Sequence, residues 1–180
     1  MSAPHLTLDE LKAGLPHIER SPKDAGVLRL IVRRPRVGAR DVLSEAELDV
    51  TAGLVGDTWS RRSPHPEMQI NIMNARAIAL VAQSDDRWPL AGDQLYVDLD
   101  LIDENLPVGT RLALGSAVIE VTAEPHTGCR KFSERFGVDA TRFVNSKEGR
   151  RLHLRGINAK VVQSGTIRVG DVASKLEAPR

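Results

Sequence analysis

The sequence predicts an α+β domain that is rich in β-structure, with a barrel-like core and a few short helices. Short runs with strand-like alternation recur along the chain, and turn residues separate them about every 8 to 15 residues. Helical patterns are fewer and shorter. No internal repeat, low-complexity segment or Gly/Ser linker divides the 180 residues. We therefore expect one domain over 1–180, with its core over about 27–174 and a helical extension over 1–26.

The helices are predicted mainly from their caps. Thr7 and Glu10 have the spacing of a capping box, which starts a short helix that ends near Gly14. Pro16 and the other turn residues that follow predict a loop over 16–25. Asn74 is a suitable N-cap for the next helix. That helix is predicted over residues 75–83, and two more are predicted over residues 130–136 and 139–146.

The strands are predicted from alternating apolar residues and β-branched content. Glycine or serine turns near 115 and 164 predict two hairpins, over 111–122 and 157–169. The other strands are predicted over residues 27–32, 46–50, 68–72 and 95–101. We expect the runs 27–32, 68–72, 95–101, 111–122 and 157–169 to share one core.

Composition excludes several classes of partner. The hydrophobic fraction of 41% and the charged fraction of 27% are ordinary for a globular protein. A net charge of +1 and an aromatic content of 3% give no reason to expect nucleic acid. The N-terminus lacks the pattern of a signal peptide, and no apolar run is long enough to span a membrane. We therefore expect a cytoplasmic protein that binds neither nucleic acid nor a membrane.

The single cysteine, Cys129, lies in the run Pro125-His126-Thr127-Gly128-Cys129-Arg130-Lys131, between a predicted strand and a predicted helix. A lone thiol cannot form an intramolecular disulfide. The neighbouring cations favour the thiolate, which is the form that attacks electrophiles and binds soft metals. We expect Cys129 to be reactive at neutral pH and to be a catalytic residue or a metal ligand. The alternative is a thiol that packs as a small buried hydrophobe.

Other chemistry is less well supported by the residues. The chain has no phosphate-binding loop, no GxGxxG, no HExxH, no CxxC and no GxSxG. One cysteine and five scattered histidines make a structural zinc site implausible. An acidic run could hold calcium or magnesium, although its alternation is more typical of a solvated face; it comprises Asp98, Asp100, Asp103 and Glu104.

Two further groups of side chains can complement Cys129. His126 lies three residues before it and could form a thiolate–imidazolium pair if the loop curls back. Arg150, Arg151 and Arg155 could bind an anionic ligand, because a guanidinium group presents a planar fork that suits phosphate oxygens. Taken singly, each of these arginines is more often a solvated surface residue.

A set of motifs in a fixed order is more specific than any of these features alone. The motifs are Gly53-Leu54-Val55-Gly56-Asp57, Glu104-Asn105-Leu106, residues 114–122, Cys129, Arg155-Gly156-Ile157 and residues 165–171. This ordered set resembles the MOSC domain, a family named for the C-terminal domain of molybdenum-cofactor sulfurases. The resemblance covers residues 27–174.

The resemblance implies a barrel-like β-rich fold that binds the molybdenum cofactor, molybdopterin. It implies that Cys129 is the catalytic residue and the ligand of the metal, because thiolate is a soft ligand. We expect the cofactor to be bound also by Gly56, Asp57, Asn105, Arg150, Arg151 and Arg155. We further expect Cys129 to lie in a concave site with Asp57 or Asn105 and at least one of the three arginines. At the family level, the resemblance also carries an association with pyridoxal phosphate.

The resemblance leaves three functions open. The first is a molybdenum-dependent oxidoreductase that reduces N-hydroxylated or similar small molecules, or a protein that transfers sulfur or cofactor. A reductase would need a redox partner protein, since the chain has no flavin, haem or iron–sulfur motif. The second is a non-enzymatic carrier of the cofactor. The third is a metal-free thiol enzyme in which Cys129 and His126 act together.

Overall fold

The computed structural model describes residues 4–62 and 64–178. Within these residues the strands are β1 (Gly26–Arg33), β2 (Asp41–Leu43), β3 (Glu45–Asp49), β4 (Gly53–Leu54), β5 (Ile70–Asn74), β6 (Leu95–Asp98), β7 (Arg111–Leu114), β8 (Ala117–Val121), β9 (Ile157–Gln163), β10 (Gly165–Arg168) and β11 (Val172–Lys175). The α-helices are α1 (Leu8–Ala13), α2 (Leu15–Glu19), α3 (Ala75–Ala82), α4 (Arg130–Phe136), α5 (Val138–Asn145) and α6 (Lys147–Arg151). Three 3₁₀-helices span Trp59–Arg61, Pro66–Met68 and Asp85–Ala91.

Seven strands form a closed barrel in the order β11-β7-β8-β9-β5-β6-β1. Antiparallel pairing of Val27 in β1 with Val172 in β11 closes it. The pair β5–β6 is parallel, and the other neighbours are antiparallel. Strand β2 extends the sheet beyond β1, and β10, β3 and β4 form a separate small sheet. The predicted β-rich α+β fold with a barrel-like core is therefore confirmed.

Two hydrophobic clusters stabilise this architecture. The first is built mainly from barrel strands and includes Leu28 and Ile72. The second joins the other face of the strands to the helices, and it includes Met73 together with Leu11 of α1 and Ile18 of α2. Every residue of β5 is buried because both faces of this strand are covered.

The caps place α1 and α3 as the sequence predicts, whereas α2 and α6 were not predicted. Thr7 and Glu10 form the capping box of α1. The side chain of Asn74 accepts hydrogen bonds from the backbone N–H groups of Arg76 and Ala77 at 2.8 and 3.0 Å, so it caps α3. The loop predicted over 16–25 is partly wrong, since α2 continues to Glu19 with Pro16 in its first turn. Proline is tolerated there because the N–H groups of a first turn have no partner within the helix.

The predicted hairpin over 157–169 is wrong in its pairing. Strand β10 does not return along β9; it pairs with β3 in the small sheet. The turn between them faces the small sheet, where Ser164 accepts a hydrogen bond from the N–H group of Val50 at 3.0 Å. The hairpin over 111–122 is confirmed by the pairing of β7 with β8. The predicted strand 95–101 ends at Asp98, and strand β5 begins two residues later than predicted, at Ile70.

The longest helices, α3 and α5, have eight residues each. Over residues 4–62 and 64–178, no helix is long and apolar enough to cross a membrane.

Candidate functional site

Cys129 lies at the surface, where the loop after β8 becomes α4. It is exposed and is the N-cap residue of that helix. Asn145 of α5 fixes the residue before it: its Oδ1 accepts from the N–H group of Gly128 at 2.8 Å, and its Nδ2 donates to the Gly128 carbonyl at 2.9 Å. The thiol is therefore accessible, and the alternative of a buried structural cysteine does not apply.

Cys129 opens into a concavity of about 310 Å³. Six cationic side chains line it, and no carboxylate does so among the described residues. They come from the segment after β1, from the segment near Trp59 and from α4. The six are Arg34, Arg36, Arg40, Arg62, Lys131 and Arg135.

The six cationic side chains form a wall of the concavity. Asp57 lies behind this wall and positions Arg34. Its two carboxylate oxygens accept from Nε and Nη2 of Arg34 at 2.9 and 2.7 Å, and Oδ1 also accepts from the N–H group of Arg34 at 2.8 Å. Asp57 is 1% exposed. Burial alone would raise the pKa of Asp57, but the hydrogen bonds and charge of Arg34 lower it below the usual value. Asp57 is thus an ionised support of the wall.

Gly92 separates two of the cations. A Cβ atom at this position would lie 3.5 Å from Nη2 of Arg40 and 3.7 Å from Nη1 of Arg135. Its φ of 91° also favours glycine. Burial and the positive charges of Arg135 and Arg34 lower the pKa of Arg40. Unlike Arg34, neither Arg40 nor Arg135 has an ion-pair partner among the described residues.

His126 does not pair with Cys129 in this structure. Its Nε2 lies 2.7 Å from Oδ1 of Asp93, a fully buried carboxylate. Nη1 of Arg155 donates to the other oxygen of Asp93 at 2.6 Å. Although burial raises the pKa of Asp93, the charges of Arg155 and His126 lower it to about 2. The ionised carboxylate accepts a hydrogen bond from Nε2–H of His126, which fixes the tautomer of the imidazole.

The arginines expected beside Cys129 lie elsewhere. Arg155 is buried; its guanidinium group also donates to the Ala91 carbonyl at 3.0 Å and lies 5.0 Å from the Phe132 ring centroid. Arg151 pairs with Glu148 and Glu19 at the surface. These two guanidinium groups are used by the fold, because their hydrogen bonds go to protein acceptors.

The other residues that were expected to bind the cofactor also lie apart from Cys129. Arg150 borders a different concavity, together with His126. Asn105 donates to the Asp100 carbonyl at 2.7 Å and accepts from Lys175 at 2.9 Å, in a third concavity of about 670 Å³. Gly56 is exposed with a φ of 85°, and a Cβ atom there would lie 3.0 Å from Cδ of Arg33. Of the expected set, only Asp57 supports the wall beside Cys129.

The acidic run contacts cations. Asp98 accepts from Arg76 at 2.8 Å, and Asp100 lies 3.3 Å from Nζ of Lys23. Oδ1 of Asp103 lies 2.8 Å from Nε2 of His153. No group of three or more His, Cys, Asp or Glu side chains with metal-binding geometry occurs in the part of the chain that the structure describes.

Sequence reasoning missed most of the cations at the concavity. Arg34 and Arg36 are visible in the run Arg33-Arg34-Pro35-Arg36, but a charge run is usually a solvated face. Arg40 and Arg135 have no such signal. Only the fold brings them to opposite sides of Gly92.

The MOSC domain family matches residues 57–174, well over half of the chain. No curated protein matches. The fold is similar to that of the YuaD protein from Bacillus subtilis, at 17% identity and a TM-score of 0.62, covering 83% of this chain and 96% of that one.

Two further solved structures share the fold. YiiM from Escherichia coli is similar at 16% identity and a TM-score of 0.56, covering 85% of this chain and 71% of that one. YiiM from Geobacillus stearothermophilus is similar at 12% identity and a TM-score of 0.54, covering 85% and 74%. On the family match and this shared fold, the chain belongs to the MOSC domain family, which is linked in general to binding of the molybdenum cofactor.

Proposed function

We propose that this protein binds the molybdenum cofactor in the concavity beside Cys129, with the Cys129 sulfur as metal ligand. We propose further that it reduces N-hydroxylated or related small molecules with electrons from a partner protein. One observation carries the proposal: the exposed thiol opens into a concavity that six cations line. A soft ligand beside concentrated positive charge suits a metal held by an anionic cofactor.

The residues present fit such a group. Nε and Nη1 of Arg40 donate to the carbonyls of Pro89 and Ala39, which leaves Nη2 directed to the space over Gly92. Nη1 of Arg135 donates to the Leu90 carbonyl on the other side. A phosphate over Gly92 would meet two guanidinium groups and no Cβ atom. Charge-assisted hydrogen bonds of this kind are among the stronger ones in proteins.

Different side chains would bind different parts of the cofactor. When bound, the molybdenum cofactor supplies a metal centre that exchanges electrons with the substrate. Cys129 holds the metal, Arg40 and Arg135 hold the phosphate, and Asp57 orients Arg34. Reduction of an N-hydroxyl group to N–H breaks the N–O bond, consumes two electrons and two protons, and releases water. The electrons come from the partner, because the sequence has no flavin, haem or iron–sulfur motif.

Replacing Cys129 with serine tests the metal ligand. The substitution is nearly isosteric at an exposed residue, so the melting temperature should stay the same. Molybdenum retention should fall by at least tenfold, since a hydroxyl is a far poorer soft ligand than a thiolate. We would measure molybdenum by mass spectrometry and pterin by fluorescence, in protein purified anaerobically from a host that makes the cofactor.

Thr127→Ala is the matched control, because Thr127 is an exposed residue of the same loop. It should retain molybdenum at the wild-type ratio. Equal retention in Cys129→Ser and wild type would refute the ligand role. Wild-type protein without molybdenum or pterin would refute cofactor binding altogether.

A cofactor carrier is the second candidate function. The exposure of Cys129 favours it, since a cofactor bound there would remain accessible to another protein. The loaded protein would distinguish the two: a reductase consumes a viologen reductant when an amidoxime is added, and a carrier does not. The third alternative, a thiol enzyme with His126 as base, is not favoured because His126 bonds to Asp93.

A further inference from the structure

The cations of the concavity fall into two groups by burial. The inner cations are Arg34, Arg40 and Arg135, which are partly buried, and the outer cations are Arg36, Arg62 and Lys131, which are exposed at the rim. Asp57 neutralises one inner cation, and the proposed phosphate would contact the other two. The inner cations are thus accounted for.

The outer cations have no such role. Among the described residues none of the three has an ion-pair partner, whereas Arg130, next to Lys131 in sequence, lies 2.8 Å from Glu134. They come from three separate segments: the loop after β1, the end of the 3₁₀-helix at Trp59–Arg61, and α4. Bringing like charges to one rim is unfavourable unless an anion joins them.

We propose that the outer cations bind the substrate, and that the substrate is an oxyanion: a small N-hydroxylated molecule that also carries a carboxylate or a phosphate. This inference rests on the proposed function, since it concerns the second ligand of the same concavity. A neutral substrate would leave the rim charge uncompensated beside the thiol. The concavity of about 310 Å³ restricts the ligand to a small molecule.

The field of the rim also guides the ligand toward Cys129. Within about a Debye length, roughly 8 to 10 Å at physiological ionic strength, three cations raise the local concentration of an anion. An anionic substrate therefore binds more tightly and arrives faster than its neutral analogue, and both advantages fall as salt rises.

A pair of probes that differ in one charge tests this. Isothermal titration calorimetry would compare benzamidoxime with its para-carboxylate at low ionic strength, using protein that holds the cofactor so that Arg40 and Arg135 are occupied. The wild type should bind the carboxylate about tenfold more tightly, from three exposed charge contacts. The triple variant Arg36→Ala, Arg62→Ala, Lys131→Ala should bind both compounds equally.

The control variant removes three exposed cations that do not line the concavity, with Lys12→Ala, Arg29→Ala and Lys147→Ala. It should keep the tenfold preference at the same net charge as the triple variant. Equal affinities in the wild type, or a preference that survives in the triple variant, would overturn the inference.

Molybdenum content separates this inference from the proposed function. The triple variant should retain molybdenum at the wild-type ratio. Loss of molybdenum in the triple variant alone would mean that the outer cations hold the cofactor, which overturns the substrate role and leaves the proposed function standing. Wild-type protein without molybdenum would refute the proposed function and, with it, the inference that rests on it, whereas equal affinities in protein that holds molybdenum would overturn the inference alone.

Discussion

Asp93→Asn is expected to destabilise the protein strongly, and in a way that depends on pH. Asp93 is fully buried between Arg155 and His126. Burial alone would raise the pKa of Asp93, but electrostatic attraction and hydrogen bonds from Arg155 and His126 lower it from 3.8 to about 2. This difference corresponds to about 2 kcal/mol of folding free energy at pH 7.

The sign follows from the lowered pKa. The folded protein holds the ionised carboxylate more firmly than the unfolded chain, whose Asp pKa is about 3.9. The stabilisation is therefore complete above about pH 5 and is lost as pH falls through the folded pKa. At pH 3 about half of it remains.

Asparagine keeps the shape of the side chain but removes its charge. Arg155, whose side chain is 7% exposed, would lose its counter-charge. Breaking a buried pair in this way costs about 3 to 5 kcal/mol. The amide oxygen can still accept one hydrogen bond from Arg155, so we expect a loss of about 2 to 4 kcal/mol at pH 7.

Urea unfolding at pH 7 and pH 3 would measure this. The gap in unfolding free energy between wild type and Asp93→Asn should shrink by about 1 kcal/mol at pH 3. Asp103→Asn is the matched control, because its carboxylate also contacts a histidine, at 2.8 Å, but is 78% exposed. It should cost less than about 1 kcal/mol. A gap that is equal at both pH values would refute the reasoning.

Two further predictions concern the segments around Cys129. Gly149→Ala places a Cβ atom 2.6 Å from the Val144 carbonyl oxygen and against that of Phe143, so urea unfolding should show that the unfolding free energy falls by about 2 kcal/mol or more. Gly38→Ala is the control: no atom lies within 4 Å of the added Cβ and φ is 79°, so the unfolding free energy should fall by only about 1 kcal/mol. Equal losses in the two variants would contradict the steric argument. Asn145→Ala removes both hydrogen bonds to Gly128, so the unfolding free energy should fall by about 1 to 2 kcal/mol. The alkylation rate of Cys129 should increase severalfold, because the loop loosens. An unchanged alkylation rate would show that Asn145 does not hold the thiol in place.

Local rules in the sequence determined several elements correctly. The capping box at Thr7 and the Asn74 cap both follow from side chains that bond backbone groups a few residues away. The hairpin 111–122 follows from alternation around one glycine turn. These features need few residues, so the sequence alone predicts them. Cys129 is exposed, as the polar residues beside it in the sequence predict.

Only the tertiary structure decided which charges meet. Arg155 was predicted to bind a ligand, but a buried carboxylate 62 residues away neutralises it. Arg40 and Arg135 lie 95 residues apart in sequence and flank one glycine. Likewise β10 pairs with β3, more than 100 residues earlier, and not with its neighbour β9. Burial and long-range pairing determine whether an arginine is neutralised or free to bind an anion, and neither is encoded in the residues beside it.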